Sequence, residues 1–185
     1  MKNIVVETVD SHTFLLVDGI PQSVYPPPEG GYWKYMMPDF EPKSVLMLGV
    51  GGGTIPRMIL SKYPKCKILG IDNSRETIKV AKEKLWLKDL KMELRIGDAF
   101  RYVALDNMLK NDGKFDLILV DIWDGQWFTF KVLSDDFIRQ CKGMLNEGGK
   151  IYINMPNLDW AAIKNLPGGL KDDIGANMIY RWSKT

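Results

Sequence analysis

From residue 44 onward, short continuous apolar runs alternate with longer amphipathic segments. The runs predict strands, and the longer segments predict helices because their apolar residues recur at helical spacing. We expect strands at 45–50, 67–71, 92–96, 115–122 and 150–155, and helices at 54–62, 74–86, 99–109 and 134–145. Strands with two apolar faces that alternate with helices indicate a parallel sheet covered on both sides. The predicted fold class is therefore α/β, with a doubly wound, mostly parallel sheet.

The beginning of the chain follows a different pattern. Apolar and polar residues alternate over 1–9 and 13–17, which predicts an N-terminal β-hairpin. Proline and glycine crowd residues 21–31, so we expect a loop there, because proline lacks a backbone donor and glycine has no preferred conformation. Residues 32–37 then predict a short aromatic helix.

The end of the chain is short for this architecture. Beyond Pro156 there is room for one helix, predicted at 158–165, and for a last strand at 178–182. We accordingly divide the chain into an N-terminal hairpin and loop at 1–40 and a main domain at 41–185.

Composition and charge narrow the class of protein. The 185 residues are enough for one buried core, and the 25 basic and 23 acidic residues are scattered along the chain to give a net charge of +2. Such a weak field attracts neither nucleic acid nor an anionic membrane, so we expect no nucleic-acid partner and no membrane partner. The expected partner is a small-molecule substrate.

Single residue types exclude several kinds of site. Cys66 and Cys141 each lie in an apolar segment, which predicts reduced, buried thiols and a cytoplasmic location. No apolar run approaches the roughly 20 residues that span a bilayer, and the N-terminus lacks the layout of a signal peptide. His12 is the only histidine, so a His-based zinc site or a Ser/His/Asp triad cannot be assembled, and we expect no metal.

A glycine-rich turn is the first candidate for ligand binding. Gly49, Gly51, Gly52 and Gly53 end the first strand of the main domain, directly before a predicted helix. Glycine lets the backbone turn tightly and approach a ligand, and the helix N-terminus offers free amide donors. A tight connection without a ligand would need fewer glycines, and no Gly-Lys-Ser/Thr follows to make a P-loop. The pattern favours a nucleotide-type ligand.

Carboxylates follow the next two strands. Asp72, with Asn73 beside it, lies about 20 residues beyond the glycines, where an acid can accept hydrogen bonds from both hydroxyls of a ribose. Asp98, with Ala99 beside it, lies where a carboxylate can accept a hydrogen bond from the amino group of adenine. Each acid could instead cap the helix that follows it. Because the carboxyl ends of parallel strands meet at one edge, the set favours a single nucleoside cleft.

The fourth strand ends in an acidic and aromatic segment. Asp121 follows the apolar run directly, and Asp124 comes shortly after it. A carboxylate at the mouth of such a strand could hold or deprotonate a substrate amine or hydroxyl, or it could simply cap the next helix. Trp123, Trp127 and Phe128 could stack on a ligand or belong to the core. Asp121 and Asp124 are therefore the candidate catalytic residues.

Several of these motifs together resemble one family. They are residues 15–22, the glycine turn, Ile71-Asp72, Gly97-Asp98-Ala99 and residues 121–124. These segments are similar to those of the spermidine synthase (polyamine aminopropyltransferase) family, which has a Rossmann-like class I methyltransferase fold. The similarity runs from residue 13 to residue 154, and the hairpin ending in Asp-Gly-x-x-Gln is its more specific part.

The resemblance implies a cofactor and a set of residue roles. The cofactor would be S-adenosylmethionine or decarboxylated S-adenosylmethionine. Contacts with its nucleoside are implied for Gln22, Gly49, Gly51, Asp72, Asp98 and Ala99, and we add Gly53, Asn73 and Asp121 as candidate cofactor contacts. Asp121 would match the general base that acts on the acceptor amine, and Asp124 would match the second acid of that loop. The family transfers an aminopropyl group to putrescine or a similar diamine.

Departures from the family bear on which group is transferred. Gly52 stands where the family has an acid in its glycine loop, Tyr32-Trp33-Lys34 stands where it has Tyr-His-Glu, and the proline-rich loop replaces acids further upstream. Without those acids a dicationic substrate has few partners, which costs free energy where water is excluded. We therefore predict methyl transfer to a small amine or hydroxyl acceptor. Lys34 could pair with the carboxylate of the cofactor or be an exposed helix lysine.

Alternatives stay open at this point. The Asp121 and Asp124 pair also supports an aminopropyltransferase with an altered acceptor pocket, and the missing acids also support a non-catalytic nucleoside-binding module. A dinucleotide dehydrogenase is disfavoured, because Thr54 stands where the Gly-x-Gly-x-x-Gly spacing requires glycine. The N-terminal hairpin could also pair with its copy to build a homodimer.

Overall fold

The chain begins with a three-stranded antiparallel sheet. The computed structural model describes residues 2–109, 113–124, 127–157 and 170–184. Its first elements are β1 (Ile4–Val9), β2 (His12–Val17), β3 (Ile20–Tyr25) and the short helix α1 (Tyr32–Tyr35), with the strands in the order β1-β2-β3. The predicted hairpin and the predicted aromatic helix are confirmed.

Strand β3 corrects one prediction. The expected loop begins at residue 21, yet β3 runs from Ile20 through Pro21 to Tyr25. β3 is an edge strand, where proline is tolerated, and its register against β2 shifts between Leu15 and Leu16. Because proline fits an edge strand beside such an irregularity, the loop starts only after Tyr25.

The rest of the chain forms a larger sheet with helices. Its elements are, in chain order, β4 (Ser44–Leu48), α2 (Thr54–Lys62), β5 (Lys67–Asp72), α3 (Arg75–Lys84), β6 (Glu93–Ile96), α4 (Ala99–Leu109), β7 (Phe115–Val120), β8 (Trp123–Asp124), β9 (Trp127–Phe128), α5 (Asp135–Gly143), β10 (Leu145–Pro156), β11 (Leu170–Ile174) and β12 (Asn177–Ser183). Short 3-10 helices lie at Leu87–Asp89 and Phe130–Leu133.

The strand order confirms the doubly wound class. Seven strands follow one another as β11-β12-β10-β7-β4-β5-β6, and the pairings between β10 and β6 are all parallel. β12 runs antiparallel to both of its neighbours. The chain moves outward from β4 to β6 and then returns to β7 on the other side of β4, so the order reverses between β4 and β7. Open α/β sheets bind ligands beyond the strand ends at such a point.

Most predicted boundaries agree with the structure. Helices α2 and α4 begin and end at the predicted residues, while α3 and α5 are slightly shorter. Strand β10 starts well before residue 150, because it continues through Gly148 and Gly149, where its register against β7 shifts. Strand β12 confirms the predicted last strand, β11 was not predicted, and the helix predicted at 158–165 lies outside the described residues. No helix in the described ranges is long and apolar enough to cross a membrane.

Each face of the large sheet carries its own apolar core. Leu46 and Leu48 of β4 pack into one core with side chains of α4 and α5. Val45 and Met47, on the opposite face of the same strand, pack with side chains of α2 and α3. Successive side chains of a strand point to opposite faces of the sheet. Because both faces of β4 are buried, its residues are apolar without interruption.

The N-terminal segment packs onto the second of these cores. Leu15, Val17 and Met36 are buried in it. The buried hydroxyl of Thr54, at the start of α2, also accepts a hydrogen bond from Val24 N at 2.8 Å and donates one to Val24 O at 3.0 Å. The three-stranded sheet is therefore attached to the helix that follows the glycine turn.

Removing the Thr54 hydroxyl should loosen this attachment. We expect Thr54→Val to lower the free energy of unfolding by about 1–3 kcal/mol, because both backbone groups of Val24 lose their buried partner. Thr54→Ser keeps the hydroxyl and loses one methyl group, so it should cost about 1 kcal/mol or less. Urea unfolding followed by tryptophan fluorescence measures both, and equal losses in the two variants would contradict this reading.

Candidate active-site cleft

A cleft opens at the carboxyl ends of the parallel strands, beside the point where the strand order reverses. Its space between protein atoms, with the open mouth and the solvent in it included, is about 780 Å³. The lining residues come from five regions of the chain: Lys2, Val17, Gln22, Gly49, Val50, Gly51, Ile71, Asp72, Asn73, Ser74, Thr77, Asp98, Ala99, Phe100, Asp121, Ile122 and Trp123. The structure thus brings most of the predicted site residues together.

Contacts within the protein account for two of the glycines in the turn. Gly49 has φ +87°, and a Cβ there would lie 2.1 Å from the backbone oxygen of Asp121. Gly51, at φ +54°, lines the cleft. Gly53 precedes α2 at φ +86°, and a Cβ there would lie 2.5 Å from Leu87 Cδ1. Gly53 is not among the lining residues, so its backbone and packing account for the glycine.

Asp72 organises the turn. Its Oδ2 accepts hydrogen bonds from Val50 N and Gly51 N, both at 2.9 Å, and its Oδ1 accepts one from Ser74 N at 2.8 Å. The cap of α3 is Ser74, whose hydroxyl accepts from Thr77 N. Asp72 therefore holds the glycine turn in shape while it lines the cleft, and the exposed Asn73 lines the cleft beside it.

Asp98 combines the two roles that the sequence left open. Its Oδ1 accepts a hydrogen bond from Arg101 N at 2.7 Å, which caps α4. Asp98 and Ala99 also line the cleft. Capping orients the carboxylate without occupying all of its acceptor positions, because an ionised carboxylate has about four.

Asp121 lies at the other end of the lined edge, surrounded by donors. The Tyr32 hydroxyl donates to Oδ2 at 3.1 Å, and Asn154 Nδ2 donates to Oδ1 at 2.9 Å. Burial raises the pKa of the Asp121 carboxyl, the nearby charge of Asp72 raises it further, and hydrogen bonds oppose the rise, chiefly those from Asn154 and Tyr32. A carboxyl with a raised pKa is suited to accept and release a proton.

Two of these donors were missed by the sequence reasoning. Asn154 is 1% exposed, and its Oδ1 accepts a hydrogen bond from Asn177 Nδ2 at 2.9 Å, which turns its amide nitrogen toward Asp121. Burial raises the pKa of Tyr32 well above its usual range, and the charge of Asp121 adds to this, so Tyr32 stays a donor. The one available signal for Asn154 was a polar residue inside the apolar run 150–155.

Asp124 takes a position that the sequence did not predict. Its side chain is 71% exposed, it does not line the cleft, and its Oδ1 lies 2.7 Å from Lys2 Nζ. Lys2, 37% exposed, does line the cleft. Lys34, the cation considered for the cofactor, is exposed on α1 and is not a lining residue. The catalytic role of Asp124 stays a prediction.

The aromatic residues divide between the two roles considered for them. Trp123 lines the cleft, and its ring lies 5.3 Å from that of Phe128, which packs against the core. Trp127 is 70% exposed and pairs with Asp124 in the β8-β9 ribbon. Trp123 is therefore the aromatic side chain of this segment that a ligand in the cleft can reach.

Comparisons with known proteins agree with this arrangement. A family model described as a methyltransferase domain matches residues 45–149. A polyamine aminopropyltransferase of Chromobacterium violaceum is 30% identical over 117 residues, which are 62% of this chain and 42% of that protein. A demethylmenaquinone methyltransferase of Thermotoga maritima is 31% identical over 117 residues, which are 62% of this chain and 44% of that protein. The chain thus spans less than half the length of these two relatives.

Solved structures share the fold. A spermidine synthase in complex with the transition-state analogue AdoDATO has a TM-score of 0.77 at 21% identity, and the alignment covers 100% of this chain and 71% of that one. Human methyltransferase-like protein 13 in complex with SAH has a TM-score of 0.69 at 20% identity, over 78% of this chain and 72% of that one. The protein has a spermidine synthase-like class I methyltransferase fold.

The environment of Asp121 predicts how its removal affects stability. A raised pKa in the folded state means that Asp121 stabilises the fold at pH values below its ordinary pKa of 3.8 and that this contribution is lost as the pH rises through the raised value. We expect Asp121→Asn to unfold at an equal or higher temperature than the parent at pH 7, with the gap narrowing toward pH 4. Differential scanning calorimetry across this range measures it.

Asp116 is the matched control, because its pKa is shifted downward whereas that of Asp121 is shifted upward. Burial opposes ionisation there, but hydrogen bonds from Asn146 and from the amides of Lys43 and Ser44 outweigh it and lower the pKa. Its contribution is present above the ordinary pKa and is lost as the pH falls. Asp116→Asn should therefore lower the unfolding temperature at pH 7, with the loss shrinking on acidification. The same pH trend in both variants would contradict the assignment for Asp121.

Proposed function

This chain belongs to the methyltransferase domain family, and we propose that it transfers a methyl group from S-adenosylmethionine to a small acceptor through an amine or hydroxyl of that acceptor. The observation that carries the choice of methyl transfer is the packing around Gly52. The cofactor, the acceptor and the catalytic role of Asp121 are parts of this proposal.

The cleft offers groups for each part of the nucleoside. Strand order places Asp98, Asp72, Gly49 and Asp121 along one edge, after β6, β5, β4 and β7. Neighbouring strands are about 4.8 Å apart, so three steps along the edge span about 14 Å. In our proposal Asp98 binds the amino group of adenine and Asp72 binds one ribose hydroxyl. Asp72 already accepts three hydrogen bonds of the about four that an ionised carboxylate can accept, so one position remains for that hydroxyl.

The packing around Gly52 favours the complete cofactor over its decarboxylated form. In the spermidine synthase family an acid stands at this position of the loop, where it would neutralise the amine of the decarboxylated cofactor. Here a Cβ at Gly52 would lie 2.6 Å from Ser23 Cβ and 2.8 Å from Leu85 Cδ2. Ser23 Oγ also accepts a hydrogen bond from Gly52 N at 2.6 Å. This chain therefore has no room for a carboxylate there.

The chemistry then depends on how the acceptor is held. S-adenosylmethionine would supply a methyl carbon made electrophilic by the adjoining sulfonium, and its methyl–sulfur bond would break as the bond to the acceptor forms, leaving S-adenosylhomocysteine. Asp121 accepts the proton that the attacking amine or hydroxyl loses, since its raised pKa brings it nearer to the operating pH. Tyr32 and Asn154 keep the carboxylate oriented toward the cleft. Holding the acceptor and the proton-accepting group in one place is itself a large source of rate acceleration.

Aminopropyl transfer is the second candidate. It is favoured by the polyamine aminopropyltransferase that the chain resembles over 62% of its length and by the N-terminal three-stranded sheet, which lies inside the region aligned with a spermidine synthase. Against aminopropyl transfer, this chain lacks the acids with which the family would bind a diamine. Binding of the two cofactors discriminates between the candidates.

Calorimetric titration should show a preference for the carboxylated cofactor. We expect S-adenosylmethionine to bind at least about tenfold more tightly than decarboxylated S-adenosylmethionine, a difference of about 1.4 kcal/mol. The physical reason is that the decarboxylated form has lost the carboxylate that balances its amine in S-adenosylmethionine, and no acid stands at position 52 to replace that negative charge. A tenfold preference in the other direction would replace methyl transfer by aminopropyl transfer.

Substitution of Asp121 should remove turnover and leave cofactor binding in place. We expect Asp121→Asn to reduce the rate of methyl transfer by about 10²–10⁴-fold, because an amide cannot accept the proton. The parent rate should rise with pH through a midpoint above the ordinary 3.8 of an aspartic acid, and the variant should lack this rise. Transfer of labelled methyl to a panel of small amines and phenols measures the rate.

Two comparisons complete this test. Asp116→Asn, on the opposite end of β7, should retain the parent rate, which separates a catalytic effect from a loss of stability. Binding of the cofactor without any turnover in the parent would favour a nucleoside-binding module instead.

A further inference from the structure

We propose that Lys2 and Asp124 together bind the amino-acid end of the cofactor, with Lys2 pairing with its carboxylate and Asp124 with its ammonium. This inference rests on the proposed function, because it concerns S-adenosylmethionine in the cleft described above. It adds two residues that the family resemblance does not place in this role.

The position of the pair follows from the strand order. Asp124 lies in β8, which follows β7, and it adjoins the cleft through its ion pair with Lys2, whereas Asp98 follows β6 three strands away from β7. Lys2 Nζ lies 2.7 Å from Asp124 Oδ1, so Lys2 belongs to the same end. With adenine at Asp98 and ribose at Asp72, the remaining part of the cofactor extends toward Lys2.

The N-terminal sheet forms the wall at this end. Lys2 lies two residues before the start of β1, and it lines the cleft together with Val17 of β2 and Gln22 of β3. β1 is paired with β2 from Ile4 opposite Val17, which holds the backbone next to Lys2 against the main domain. The cation therefore lies next to a strand whose position is determined by pairing.

The charges of the cleft point to Lys2 as the partner of a carboxylate. Among the residues described as lining it, Lys2 is the only basic side chain, whereas Asp72, Asp98 and Asp121 are all acids. A cofactor carboxylate placed among these acids without a cation would be repelled. Lys34 is exposed and does not line the cleft, so it does not supply that cation.

The ion pair also matches the zwitterion in both signs. An α-amino acid carries a carboxylate and an ammonium on one carbon, and Lys2 and Asp124 present one cation and one anion side by side. Both side chains are partly exposed, at 37% and 71%, and ion pairs of this kind contribute little to stability. The pair can therefore open at small cost and exchange its internal contact for contacts with the zwitterion.

The test compares four nucleosides that differ in this end. S-adenosylmethionine and its decarboxylated form share the sulfonium charge, and S-adenosylhomocysteine and methylthioadenosine share a neutral sulfur. S-adenosylmethionine and S-adenosylhomocysteine carry both charges of the amino acid, decarboxylated S-adenosylmethionine carries only the amine, and methylthioadenosine carries neither. Each is titrated calorimetrically against the full chain, made without an N-terminal fusion, as the parent, Lys2→Gln and Asp124→Asn. The readout is the dissociation constant, which requires no turnover.

The expected result is a pattern across ligands. Lys2→Gln should weaken the two amino-acid-bearing ligands by about fivefold or more and leave decarboxylated S-adenosylmethionine and methylthioadenosine within about twofold of the parent. Asp124→Asn should weaken all three ligands that carry the amine and spare methylthioadenosine. Lys34→Gln and Asp10→Asn, exposed changes of the same type away from the cleft, should alter none of them.

Failure of this inference and failure of the proposed function give different results. If methylthioadenosine and S-adenosylhomocysteine bind the parent but Lys2→Gln weakens both equally or neither, this inference is overturned while the nucleoside site stands. If no nucleoside binds the parent, the proposed function fails, and this inference fails with it. A stronger loss for decarboxylated S-adenosylmethionine than for S-adenosylmethionine in Lys2→Gln would also overturn it.

Discussion

The cleft depends on the contact between the ends of β4 and its two neighbours. Gly49 N donates to Ile71 O at 2.9 Å on one side, and Asp121 N donates to Leu48 O at 2.8 Å on the other. At Gly49 the backbones approach so closely that a Cβ would lie 2.1 Å from Asp121 O. Because β5 and β7 meet β4 in this way, Asp72 and Asp121 come to lie on either side of one glycine turn. The helices and the N-terminal sheet are built around that edge.

Acids near one another are the main electrostatic feature of this edge. Asp72 is stabilised by amides of the glycine turn, and Asp121 by the donors Tyr32 and Asn154. Burial still dominates at Asp121 and raises its pKa, to which the charge of Asp72 contributes. Lys2 supplies a cation at the same end of the cleft. The edge therefore combines a cluster of acids beside the glycine turn with one cation, Lys2, among the described lining residues.

Local patterns explain which features were predictable. The boundaries of α2 and α4 and the apolar strands β4 and β7 follow from periodicity, since each pattern is complete within its own segment. β3 and the first part of β10 were missed, because proline and glycine break the local signal while pairing with neighbouring strands still favours a strand. Gly53 was predicted as a cofactor contact from its local pattern, but it does not line the cleft, and its φ of +86° serves the start of α2.

The sequence by itself determined the class of fold, the glycine turn and the acids that end successive strands, because these features depend on residues close together in the chain. It did not reveal that Tyr32 and Asn154 hold Asp121, or that Lys2 pairs with Asp124 beside the cleft. Those contacts join residues from distant segments, and they depend on strand order and on the packing of the N-terminal sheet. Only the tertiary structure decides such long-range pairings, because no local pattern of side chains encodes which strands become neighbours.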